Sequence, residues 1–247
     1  MDDSKVLVVG ATSKIAGEMA RLLAHQGAKL HLVARNEERL IELATELARV
    51  TEVSFEVADL TEFGRAPGLV HRAVEELGGL DEVYVLHGDI GDQLESERSF
   101  AEAERILSVN LISVVALLIP IANVLEAAGK GRIVVVTSVA GDRGRPRNFT
   151  YGAAKGGLNI YLQGLRSRLA HTRIRVTTIR LGPVDTPMTA HHRKNFLFGT
   201  ATAVARDIAF ARANGDVYVP RYWRPIMLIV RNLPLAIFQR FGFLAGR

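Results

Sequence analysis

Lys5-Val-Leu-Val-Val-Gly10-Ala-Thr-Ser-Lys14-Ile-Ala-Gly17 is a short apolar run that ends in glycine. It gives way, from Ile15 to Gln26, to apolar residues at helical spacing (Ile15, Met19, Leu22, Leu23). The reading is strand, turn, helix. The same succession recurs downstream without sequence repetition, with strand-like runs at Lys29–Val33, Val53–Val57, Glu82–Leu86, Arg132–Thr137, Arg173–Arg180 and Asp216–Val219 and helical stretches between them. This alternation predicts an α/β fold, a parallel sheet of about seven strands covered by helices on both faces. In such a sheet ligands bind outside the carboxyl ends of the strands, so the residues just after each apolar run carry the chemistry.

No linker, repeat or low-complexity tract interrupts Lys5 to Pro220. Residues 1–220 are therefore read as one domain. From Arg221 the rhythm stops, and Trp223–Leu244 is apolar, punctuated by proline and free of acids. Residues 221–247 are read as a basic, apolar C-terminal arm rather than a second domain. A chain of 247 residues that is 48% hydrophobic and 23% charged has material for a sizeable core, which excludes disorder and fibrous repeats. The absence of cysteine excludes disulfides, thiolate metal sites and a cysteine nucleophile, and fits a reducing compartment. Met1-Asp2-Asp3-Ser4-Lys5 carries acids where an export signal would be basic, so a cytoplasmic location is expected. No run approaches about 18 uninterrupted apolar residues, so no membrane span is expected.

The formal net charge of +5 is local. Five arginines (Arg221, Arg224, Arg231, Arg240, Arg247) and no acids follow Pro220, which leaves 26 basic against 26 acidic side chains in the remainder. A neutral body without a recognition module argues against nucleic-acid binding. Trp223, Phe238, Phe241 and Phe243 join Ile226, Ile229, Val230 and Leu233 at helical spacing, with Pro225 suited to a first helical position and Pro234 to a break. Such a cationic segment reads either as peripheral to the cytoplasmic membrane face or as an arm packing over the cleft or a neighbouring subunit.

Gly10, Thr12, Ser13, Lys14 and Ile15 span the turn from first strand to first helix, where backbone N–H groups and the helix dipole favour a phosphate. The turn is a poor match to G-x-G-x-x-G. At the end of the second strand, Ala34-Arg35-Asn36 offers a guanidinium and no carboxylate, which suits the 2′-phosphate of NADP(H) better than a free ribose hydroxyl. Asp59-Leu60 closes the third strand, where the carboxylate either accepts from an adenine amino group or caps a helix before Glu62.

Thr137-Ser138 ends the strongest strand, Tyr151 follows, and Lys155 lies four residues after Tyr151 on one helical face. Asn110 lies upstream, and Leu181-Gly182-Pro183-Val184-Asp185-Thr186 follows the sixth strand. This constellation resembles the short-chain dehydrogenase/reductase family from Lys5 to about Pro220, which implies a Rossmann-type doubly wound fold, a nicotinamide cofactor and an oligomer. The resemblance implies a tetrad of Asn110, Ser138, Tyr151 and Lys155, with Pro183, Val184 and Thr186 holding the nicotinamide. Two departures stand out: Lys14 and Ala16 replace loop glycines, and the family's Asn-Asn-Ala-Gly appears as Leu86-His87-Gly88-Asp89, with Gly88 retained among the cofactor contacts. Gly141–Phe149, Thr186–Thr189 and the tail are most similar to the branch that reduces a polyprenyl-phosphoryl keto-pentose.

The chemistry fits these residue types. Ketone reduction needs hydride on carbon and a proton on oxygen; Tyr151 would donate the proton, Lys155 would lower its pKa, and Ser138 would polarise the carbonyl. Asn110, inside a long helix, would hold a water leading to Lys155. Arg143, Arg145 and Arg147 either bind a phosphoryl group of the substrate or form a solvated basic loop. The expected function is NADPH-dependent reduction of a small-molecule or lipid-linked ketone, with a soluble oxo-acyl or hydroxysteroid-type reductase or a non-catalytic NADP(H)-binding scaffold as alternatives. His191-His192 falls in the loop after Thr186 without ligand spacing, and no metal site is expected.

Overall fold

Val6 and Val8 face one side of the first strand and Leu7 and Val9 the other, and all four are buried. A strand apolar on both faces belongs in the middle of a parallel sheet. The computed structural model, which describes residues 3–190 and 194–240, places it there. In chain order the elements are β1 (Lys5–Val9), α1 (Lys14–Ala24), β2 (Lys29–Ala34), α2 (Glu37–Leu47), β3 (Val53–Val57), α3 (Ala66–Leu77) and β4 (Glu82–Val85). The short α4 (Gln93–Ser96) and α5 (Phe100–Leu107) lead through a π-helical turn, Ser108–Ile112, into α6 (Ser113–Ala128). Then come β5 (Lys130–Ser138), α7 (Phe149–Arg168), β6 (Arg173–Leu181), β7 (Val184–Asp185), β8 (Gly199–Thr200), α8 (Ala201–Ala209) and β9 (Gly215–Val219). The arm forms α9 (Trp223–Asn232) and α10 (Leu235–Arg240).

Seven strands form one sheet in the order β3-β2-β1-β4-β5-β6-β9, every neighbouring pair parallel. This is the Rossmann-type doubly wound fold, and all seven expected strands are in it. The order reverses between β1 and β4, which opens a crevice above their carboxyl ends. One core layer packs α1, α2 and α8 against the sheet through Met19, Leu23, Leu40, Leu43, Val204 and Ile208. The opposite layer packs α3, α6 and α7 through Leu69, Val70, Leu117, Ile121, Leu158 and Leu162.

One helix needs its apolarity explained, and one expectation needs correction. Phe100–Ala128 is one continuous helix of 29 residues, apolar enough by length and composition to cross a membrane, which a search for uninterrupted apolar runs passes over. Val114, Leu117, Leu118, Ile121, Ala122 and Leu125 of this helix are buried in the core layer, which accounts for its apolarity. Pro225 occupies the third position of α9, not the first, because Trp223 already begins the helix; Pro234 separates α9 from α10 as expected. The inner face of the arm joins Trp223, Met227, Val230 and Phe238 to Val139, Leu197 and Tyr218 in a third apolar cluster. Phe241, Phe243 and Arg247 lie outside the described residues.

Candidate active site

Gly10 has φ +82°, and a Cβ on it would lie 2.7 Å from the backbone nitrogen of His87. Only glycine lets the β1 turn pass this close to the segment leaving β4. Behind it Ser13 caps α1, its hydroxyl accepting from Ala16 N at 3.2 Å. The remaining first-turn N–H groups have no partner within the helix and suit a phosphate. A cleft of about 540 Å³ starts here, with Thr12, Ser13, Lys14 and Ile15 in its wall, and runs over the strand ends to Trp223. Its described wall carries Lys14, Arg39, Arg145, Arg147 and Lys155 and no carboxylate.

Arg39 was missed by the sequence reading. Arg35 is exposed and outside the cleft wall, close enough to Asp59 to help hold that carboxyl down, whereas Arg39, four residues on and in α2, reaches the wall. Its place in the first turn of the helix that follows β2, just beyond the Asn36 cap, was the available signal. Asp59 caps its own turn: Oδ1 accepts from Thr61 N at 2.9 Å and from Thr61 Oγ1 at 2.7 Å, and these bonds lower its pKa, the backbone one most. It is not a helix cap, because the short 3-10 turn begins after Glu62. Leu60 packs against the α3/α6 core layer.

Ser138 ends β5, Tyr151 is the third residue of α7, and Lys155 stands one turn further; all three line the cleft. Lys155 Nζ lies 5.7 Å from the centre of the Tyr151 ring and 3.4 Å from the Val136 carbonyl oxygen. Burial lowers the Lys155 pKa to about 8. Burial also pushes the Tyr151 phenol up to about 12, against a hydrogen bond with Ser138 that lowers it and with Asp89 adding to the rise. The sequence reading had Lys155 pulling the phenol down; in this cleft desolvation of the phenolate is the larger effect.

Asn110 sits in the π turn rather than in a regular helix and is fully buried. Its Nδ2 donates to Asp89 O at 2.6 Å and Ile106 O at 2.9 Å, and its Oδ1 accepts from Asp89 N at 3.1 Å. The carboxamide therefore pins the loop after β4. A Cβ on Gly88 would lie 2.8 Å from Asn110 Oδ1 and 3.2 Å from Lys155 Nζ, so these two groups meet across a residue without a side chain. His87, a departure from the family pattern, is a cleft residue whose Nε2 lies 2.8 Å from Ser113 Oγ. Burial, helped by the charge of Lys155, pushes the His87 pKa down to about 3, so the ring is neutral.

Pro183, Val184 and Thr186 line the far wall, where pairing of β7 with β8 fixes the loop. Beside them Trp223 packs on Gly182, where an added Cβ would stand 2.2 Å from the indole nitrogen. Of the three candidate phosphoryl-binding arginines, Arg143 is engaged elsewhere. Its Nη1 donates to Val230 O and Leu233 O, each at 2.6 Å, and its guanidinium covers the Phe238 ring at 4.1 Å. It closes the carboxyl end of α9. Arg145 and Arg147 do line the cleft, and Arg145 is partly buried with its pKa lowered by desolvation and by Arg147. His191 and His192 lie outside the described residues.

The short chain dehydrogenase profile matches residues 4–196, and the chain belongs to that family, whose members are oxidoreductases using a nicotinamide cofactor. An uncharacterized oxidoreductase of Mycobacterium tuberculosis (strain ATCC 25618 / H37Rv) is 35% identical over 97% of this chain and 99% of its own. Levodione reductase superposes with a TM-score of 0.80 at 26% identity, covering 89% of this chain and 96% of that one. A variant actinorhodin polyketide ketoreductase with NADPH gives 0.79 at 25%, over 89% and 97%. The residues present fit such a cofactor: a glycine cradle at Gly10, an open helix N-terminus, cations without a carboxylate, and a side-chain-free position at Gly88.

Proposed function

We propose that the protein catalyses NADPH-dependent, reversible reduction of a ketone to a secondary alcohol. One observation carries the reading: Ser138, Tyr151 and Lys155 share a single cleft whose nucleotide end holds Lys14 and Arg39 and no carboxylate. When bound, the cofactor supplies the hydride that adds to the carbonyl carbon. Ser138 holds the carbonyl oxygen by a hydrogen bond, and Tyr151 gives its phenolic proton to that oxygen. Lys155 restores the phenol's proton and orients the ring from one turn away. Asn110 acts through the loop that it pins, keeping Gly88 against Lys155. Lys14 and Arg39 recognise the 2′-phosphate, with Arg35 at the outer edge.

The substrate is an apolar ketone. Val139, Leu197, Phe198, Met188 and Trp223 in the wall favour it. A lipid-linked keto-sugar belongs to this class, with Arg145 and Arg147 as cations for a lipid phosphate. Exposed Ile112 and Ile119 around α6 and Ile160 on α7 support a homo-oligomer. The test is nicotinamide absorbance with a ketone panel. NADPH is expected to be used in preference to NADH. Tyr151→Phe should lose about 10²- to 10⁴-fold in turnover with NADPH binding retained. Arg39→Ala should raise KM for NADPH and leave that for NADH. Unchanged turnover in Tyr151→Phe overturns the assignment; NADPH binding with no turnover on any ketone favours the scaffold alternative.

A further inference from the structure

The arm has two apolar faces, and the protein covers one of them. Trp223, Met227, Val230 and Phe238 point inward and are buried. On the outward side Leu228 and Ile229 are 64% and 63% exposed, and Leu235 and Ile237 are 62% and 42% exposed. Phe196, 90% exposed, is next in sequence to Leu197, whose carbonyl accepts from the Tyr222 hydroxyl at the start of the arm at 3.0 Å. Arg224, Leu228 and Arg231 recur at four- and three-residue spacing and so share one stripe of α9. Arg221 and Arg240 are exposed at the two ends, and the sequence has no acid after Asp216.

We propose that this surface is where the protein rests on an anionic membrane. An apolar strip flanked by the arm's arginines, with no acid in the arm, complements anionic lipid: the leucines and isoleucines enter the acyl boundary, and the guanidinium groups meet the headgroups. Pairing with a second copy is the poorer match, since a two-fold contact would set arginine against arginine with no carboxylate to compensate. The inner face of the same arm supplies the reason for this placement. Trp223, Leu197 and Phe198 line the cleft, so its substrate end opens beside the bilayer and an apolar ketone can enter from lipid. That last point rests on the proposed reductase activity; the membrane contact does not.

Vesicle flotation of the full chain tests this, with phosphatidylcholine vesicles against vesicles that also contain phosphatidylglycerol. The protein is expected to float with the anionic vesicles only, and to be released by raised salt. Leu228→Ser/Ile229→Ser and, separately, Arg224→Gln/Arg240→Gln should each weaken retention at least about tenfold, with turnover of a water-soluble ketone unchanged. Equal retention by neutral vesicles, or no retention by either, overturns the proposal. So does a Leu228→Ser/Ile229→Ser variant that keeps vesicle binding but loses oligomer mass in light scattering, which would make the surface a contact between copies. A wild-type protein that floats yet reduces no ketone would overturn the reductase reading and leave this one standing.

Discussion

Tyr151 and Lys155 are shifted in opposite directions by one cause, and the signs fix how the site responds to pH. A phenol at about 12 keeps its proton throughout the neutral range, while an ammonium at about 8 loses its proton just above it. The ligand-free cleft is thus set to give a proton, which favours reduction. Ketone reduction is expected to fall as pH rises through about 8, where Lys155 can no longer resupply the phenol, and alcohol oxidation is expected to rise over the same range. In Lys155→Met the inflection near 8 should vanish and turnover should drop about 10²-fold or more, read from initial rates across pH. An inflection that survives in the variant would assign it to another group. The types and spacing of these residues were visible in the chain; their protonation was not, because it depends on how much water the packed helices exclude. Arg39 shows the same limit, since only the docking of α2 turned it toward the cleft.

Among the elements, β1, its turn and α1 were legible because each carries its own signal: alternation with both faces apolar, a glycine that no other residue can replace, and a serine cap. The π turn at Ser108–Ile112 had no such signal. It arises where the loop after β4 engages Asn110, a contact between residues 21 apart. The arm was ambiguous for a related reason. Its periodicity marked a helix with an apolar face, but not what that face would meet, and the contacts that hold it come from Gly182 and from Arg143, far back in the chain. Gly182→Ala should therefore push Trp223 outward, lowering stability by about 1–3 kcal/mol and exposing α9 to proteolysis. Thermal unfolding and limited digestion read both effects. A variant as stable and as resistant as the parent would show that the indole moves at little cost.

Taken whole, the molecule divides the cleft between a neutral sheet domain that carries its Gly10 end with Ser138, Tyr151 and Lys155, and an arm whose Trp223 completes the other end. Removing residues 221–247 should raise KM for an apolar ketone about tenfold or more, because Trp223 leaves the wall, while NADPH affinity stays within about twofold. Titration of cofactor fluorescence beside steady-state kinetics separates the two; a parallel loss of cofactor binding would mean that the arm supports the whole cleft. The strand count and the parallel class follow from the chain alone, since periodicity and glycine turns are local consequences of backbone geometry; the tetrad of Asn110, Ser138, Tyr151 and Lys155 is what the family resemblance implies. The local placement of the +5 charge also follows from the chain. Packing settled the rest: which arginine after β2 lines the cleft, which one holds the arm, how far burial moves the phenol and the ammonium, and which side of α9 remains uncovered. These depend on distances between residues remote in sequence and on the water that such contacts expel, and no local pattern encodes either.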